Sequence, residues 1–101
     1  MSDKLTWADV DTARQARARA ERELPRLRGK AVALLVELGS TRQGTRRWLA
    51  AADRHELVEA AVDACQHEIA RAKAVEAQHA AQQAIAQKWA ERAARETVAT
   101  P

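Results

Sequence analysis

Small and apolar residues recur near the start of the chain at Val10, Ala13, Ala16, Ala20, Leu24 and Leu27. Steps of three and four residues keep such positions on one face of a helix. Arg14, Arg19, Arg22 and Arg26 lie mostly off that stripe, on a solvated side. Thr6-Trp7-Ala8-Asp9 has the form of a capping box with Asp in place of the usual Glu, so a first helix is expected from there to about Glu23. Pro25 lacks a backbone donor and disfavours helical geometry at Leu24, which predicts an end or a kink there. A second helix, with Pro25 in its first turn, then runs to Leu38 through Val32, Leu34, Leu35 and Val36, the most apolar run in the chain. Gly39 fits a left-handed C-terminal cap. Thr45 can cap a third, short helix through Ala52, and Asp53-Arg54-His55-Glu56 offers another capping box. Either the chain bends at Asp53 or one helix continues through it.

From Asp53 to about Thr97 no Gly or Pro interrupts. That allows about 44 helical residues, ~66 Å at 1.5 Å per residue, more than an ordinary domain helix and suggestive of a coiled coil or an arm. Val58, Val62, Cys65, Ile69 and Ala72 share one face. Beyond Ala74 the larger apolar residues Val75, Ile85, Ala86, Trp89 and Ala93 lie a third of a turn or more away. A helix that buries two faces against two partners accounts for the shift, and Val75, Ile85 and Trp89 are the expected oligomerisation residues. The reading is all-α: three N-terminal helices, as a small head or a kinked hairpin, followed by a long C-terminal helix. It divides the chain into a basic head, 1–52, and an alanine-rich arm, 53–98.

Composition changes this picture in one respect. The hydrophobic share is 47%, but 25 of those residues are Ala and only 17 are Leu, Ile or Val, with no Phe or Tyr. The core is therefore thin, and a second chain is expected to complete it, as a homodimer or other homo-oligomer. No run approaches the ~20 apolar residues that span a bilayer, and no N-terminal segment resembles a signal peptide. With Cys65 as its lone cysteine, the chain is expected to be cytoplasmic, its thiol reduced and no membrane among its partners.

Charge divides unevenly along the chain. Residues 1–54 carry 12 Lys or Arg against 7 Asp or Glu, whereas residues 55–101 carry 5 against 7. The first half is where a phosphate backbone or an acidic partner would dock. Arg46 and Arg47 open a helix, where the macrodipole favours anions, and a local rule broken without local gain points to function. Arg42, Arg46 and Arg47 around Gly44, with free backbone N–H groups, could bind phosphate. The same residues also read as an ordinary solvated basic turn.

The segment Glu37–Leu49, E-L-G-S-T-R-Q-G-T-R-R-W-L, resembles the centre of helix-turn-helix DNA-binding proteins. Gly39 stands at the turn glycine, and Trp48 and Leu49 at inward positions of the second helix. Ser40 and Leu35 depart from the pattern, where a buried aliphatic and a small residue are usual. The resemblance implies that Arg42, Gln43, Arg46 and Arg47 meet duplex DNA, supported by Arg14, Arg22, Arg26 and Arg28. In outline, a basic head with an alanine-rich coiled coil is similar to plasmid-encoded DNA-binding proteins with long helical tails.

Little else suggests chemistry. His55, Glu59, Asp63 and His67 recur every four residues, and Glu76-Ala-Gln-His79 has the E-x-x-H spacing of di-iron helices. The ladder drifts around the helix by ~40° per step and lacks further inward carboxylates, so it reads as a solvated face with no metal. Cys65 reads as a small core residue. Trp7, Trp48 and Trp89 read as packing anchors. With no phosphate loop, metal knuckle or catalytic triad, no enzyme and no cofactor are expected. The expected function is non-enzymatic duplex DNA binding. The alternative is a helical protein–protein adaptor or inhibitor of phage or plasmid accessory type, whose basic half binds an acidic protein. The two part at Asp53: a bend leaves a head with a recognition helix, and an unbroken helix gives a plain hairpin.

Overall fold

The computed structural model describes residues 4–99, with side chains through Thr97. Among the described residues there are two helices and no strand: α1, Trp7–Ser40, and α2, Arg46–Ala99. Loop 41–45 turns the chain so that α2 runs back along α1, and the molecule measures 87 × 25 × 18 Å. No helix is long and apolar enough to cross a membrane.

The first helix starts where local chemistry places it. Thr6 Oγ1 accepts from the Asp9 backbone N–H at 3.2 Å, and Asp9 Oδ2 accepts from the Thr6 N–H at 2.7 Å. The Thr6 backbone bond, then its hydroxyl, hold the Asp9 carboxyl below the usual carboxylate range, with a smaller contribution from nearby His79. A depressed folded-state value means that the cap's contribution is complete above the ordinary carboxylate range. It fades as pH falls through the lowered value.

Three expectations are corrected. The first two of the three expected N-terminal helices are one, α1, and the third is the start of α2. Pro25 neither ends nor restarts a helix but lies inside α1 with its ring exposed. It removes a single donor, while Ala20, Leu24, Leu27 and Ala31 on both sides of it are buried or half-buried. That longer-range packing outweighs the local break. Gly39 is likewise helical and not a left-handed cap. The helix ends one residue later, with Thr41 extended, and the left-handed residue is Gly44 at φ 83°. The reversal thus happens in the loop, at the position where a residue without Cβ is needed. Thr45 does cap the second helix, its hydroxyl accepting from the Trp48 N–H at 3.3 Å. At Asp53 the helix is unbroken, so the boundary between residues 52 and 53 falls inside α2.

Both helices bury residues in alternating steps of three and four, the heptad seam of a coiled coil. On α1 the seam is Val10, Ala13, Arg17, Ala20, Leu24, Leu27, Ala31, Leu34 and Leu38, continued by Thr41 just past its end. On α2 it is Trp48, Ala51, His55, Val58, Val62, Cys65, Ile69, Ala72, Glu76 and His79. Every one of these is buried or half-buried. The buried apolar members, Val10, Ala13, Ala20, Ala31, Ala51 and Ala72, are small, so two backbones approach closely around few large side chains.

The seam changes character along its length. Near the loop it is Leu34, Leu38 and Trp48. At the open end it becomes polar: Arg17 Nη1 meets Glu76 Oε2 at 2.8 Å, and Arg14 Nε meets Glu76 Oε1 at 3.3 Å. There the Trp7 and His79 rings pack edge to face, 4.4 Å between centroids, and the Leu5 N–H donates to Gln82 Oε1. Past Gln82 there is no α1 beside α2. Every described side chain from Gln83 to Thr97 is exposed, on an overhang that to Ala99 spans ~25 Å at 1.5 Å per residue.

Candidate interaction surfaces

The basic tip is the first candidate surface. Arg42 and Gln43 are exposed in the loop, and Arg46 and Arg47 are exposed in the first turn of α2. Arg47 Nε lies 3.5 Å from Glu37 Oε1, a loose link across the hairpin. Among the described residues neither the Arg42 guanidinium nor that of Arg46 meets an ion-pair or hydrogen-bond partner, while the Thr45 hydroxyl donates to the Arg42 carbonyl at 2.7 Å. The fold does not gather the other arginines here. Arg28 sits ~18 Å along α1 from Ser40 and Arg14 ~39 Å, at 1.5 Å per residue. Arg14 is held by Glu76 at the far end, Arg26 lies 3.5 Å from Glu23, and Arg22 and Arg28 are exposed singly. The eight named residues therefore form one small tip cluster and a scattered row.

A second surface, not singled out by sequence, lies on the hairpin's flank. Lys30, Ala33 and Leu34 of α1 and Arg54, Leu57 and Val58 of α2 line a shallow apolar groove with one cation from each helix. Leu57 is 72% exposed, the most exposed of the large apolar side chains among the described residues. Val32, Leu35, Val36 and Leu49, also exposed, lie in the same loop-proximal half. In a chain with only 17 Leu, Ile and Val, five exposed in the loop-proximal half concentrate apolar surface there. The signal was present as Leu57 standing beside the Val58–Ala72 stripe. Its meaning depends on which α1 residues lie alongside.

The third surface is the overhang. Of the expected oligomerisation residues, Val75 is half-buried within the hairpin, whereas Ile85 and Trp89 are exposed beyond it. The Arg92 guanidinium lies over the Trp89 ring at 5.5 Å. Ile85, Lys88, Trp89 and Arg92 form a small ledge.

The histidine and carboxylate ladder is occupied with pairwise contacts. His55 Nε2 is 3.5 Å from Glu59 Oε1, too far for a good hydrogen bond, and its ring is largely buried in the seam without another partner. His67 Nδ1 lies 2.8 Å from the Asp63 carbonyl oxygen. Among the described residues no three His, Cys, Asp or Glu stand together in a way that could hold a metal ion. Glu76 and His79, whose spacing suggested di-iron helices, serve the seam: one bridges Arg14 and Arg17, the other is 5% exposed against Trp7. Arg17 is held protonated more firmly than usual, chiefly by its hydrogen bond to Glu21 and then by the charges of Glu21 and Glu76. Comparison with known proteins finds no family model, no curated sequence and no solved structure that matches this chain.

Proposed function

We propose that this protein is a non-catalytic helical adaptor, whose hairpin flank takes an acidic, amphipathic helix of a partner protein in the cytoplasm. The observation that carries this reading is the unbroken course of α2 through Asp53, packed along α1 from the loop to Gln82. A recognition helix must stand away from its neighbour, typically crossing it at ~90–120°, to enter a groove. Here both helices spend their inner faces on each other. What they offer outward is an apolar strip with Lys30 and Arg54 on its edges, which suits a helix with spaced apolar anchors and flanking carboxylates.

A second reading keeps duplex DNA as the partner and places it at the tip. It is favoured by Arg42 and Arg46, whose guanidinium groups stand exposed in the loop and at the start of α2.

Two probes separate these readings: a helical peptide of leucine and glutamate with apolar residues on one face, and random duplex DNA. Peptide binding is expected to weaken at least ~10-fold in the Lys30→Glu/Arg54→Glu variant, about 1.4 kcal/mol for two reversed charges. It should be unchanged in Arg46→Ala/Arg47→Ala. Absence of peptide binding, or equal binding by the charge-reversed variant, removes the adaptor reading. Salt-dependent duplex binding whose slope flattens by roughly 0.9 per lost contact in Arg46→Ala/Arg47→Ala puts DNA in its place.

A further inference from the structure

We infer that the overhang of α2 pairs antiparallel with the overhang of a second copy, each helix occupying the place that α1 leaves empty on the other. The seam does not stop where α1 does. Continuing its steps of three and four from His79 gives Gln83, Ala86, Ala90, Ala93 and Thr97, all exposed. Val10 and His79, the last layer of the hairpin, line one continuous depression with Gln83, Ala86 and Ala90. The surface on which α1 lies is therefore prolonged past the point where α1 begins.

Length and direction select the occupant. The vacant stretch runs from Gln83 to Thr97, and among the described residues the helix of matching length and small-residue spacing is that same stretch. Laid antiparallel, the second copy fills the vacancy and stops end to end with α1, without entering the hairpin. Laid parallel, it would run its own hairpin into the first. The two-fold axis then falls between Ala90 and Ala93, with Ala90 of each copy facing Ala93 of the other. Trp89, one position from Ala90 and 62% exposed, flanks the new seam and covers its small side chains. Lys88, Glu91, Arg92 and Arg95 stay off the seam positions, so no charge is trapped between the helices. Antiparallel packing of this kind repeats the arrangement of α1 on α2 with the same residue types.

The proposal concerns the overhang alone and stands or falls apart from the adaptor reading, because none of its residues touch the flank. Light scattering of the full chain should give the mass of a dimer. Ala90→Glu, which places two carboxylates at the axis, should weaken the dimer at least ~30-fold while leaving the far-ultraviolet dichroism of the hairpin unchanged. In a Cys65→Ala background, Ala90→Cys should be linked between chains by a short bismaleimide. Gln83→Cys should not, since its copies lie ~25 Å apart at 1.5 Å per residue. A monomeric full chain, an Ala90→Glu variant that remains dimeric, or linkage as efficient at Gln83→Cys as at Ala90→Cys would each overturn the proposal.

Discussion

Replacing Pro25 with alanine is expected to stabilise the protein by about 2 kcal/mol and to raise the melting temperature by about 10 °C at fixed protein concentration. A proline in a helix interior costs ~3 kcal/mol relative to alanine, from the missing N–H and the crowding of its ring on the carbonyl four residues earlier. Here that carbonyl belongs to Glu21. Part of the gain is returned, because proline also restricts the unfolded chain by ~0.4–1 kcal/mol. The ring is exposed, so its removal opens no cavity. Thermal unfolding followed by far-ultraviolet dichroism measures the shift. A melting temperature that stays level or falls would mean that α1 is broken at Pro25 after all, or that a bend there is needed to keep the seam in register.

Ala51→Asp is expected to do the opposite, and more severely. Ala51 is 1% exposed, directly on the seam and one turn from the start of α2. An aspartate there carries an unpaired carboxylate between two close backbones, where it costs about 3 kcal/mol or more. Small domains hold only ~5–15 kcal/mol in total, and this core of alanines and one valine stands at the lower end. Ala50→Asp supplies the control, since Ala50 is exposed and shares the same helix turn. It pays the same loss of helix propensity, partly offset by the macrodipole, and should melt within a few degrees of the parent. Equal behaviour of the two variants would remove the seam that the whole hairpin rests on.

The contrast between those two alanines also shows what can be read from sequence. The caps at Thr6 and Thr45 were legible, because capping is settled by residues three apart. So was the stripe Val58–Ala72. Pro25 and Gly39 misled, because each states a local preference of a few kcal/mol or less, and a seam running on both sides of them outweighs it. The polar end of the seam was hidden for a different reason. Arg17, Glu76 and His79 sit at seam positions but interrupt the apolar pattern, and the opposite helix supplies a charge or a ring that lets them stay, with Glu21 of α1 adding to the hold on Arg17. The shift of face beyond Ala74 was therefore in part an illusion, made by a seam that turns polar. Asp53 was undecidable from the chain, since a capping box inside a strong helical run is compatible with both a bend and a straight helix. The flank groove needed the register of one helix against the other, which no single-helix pattern contains.

The gradient along the seam, apolar by the loop and polar at the open end, has a kinetic counterpart. Glu37 and Arg47 meet across ten residues of chain, whereas Leu5 and Gln82 meet across 77. Closing the short loop costs far less entropy, and it brings together the best apolar layers first. Folding then proceeds as a zipper from the tip, and opening runs the other way, from the layer held by Trp7, His79 and the Arg17–Glu76 pair. Amide exchange should accordingly be slowest around Leu34 and Trp48 and quicken toward the start of α1. The N-terminal turns of α1 can leave α2 and return while the tip stays closed. Each such departure would lengthen the bare part of α2, and a molecule bound to the bare helix would draw that balance toward the open form.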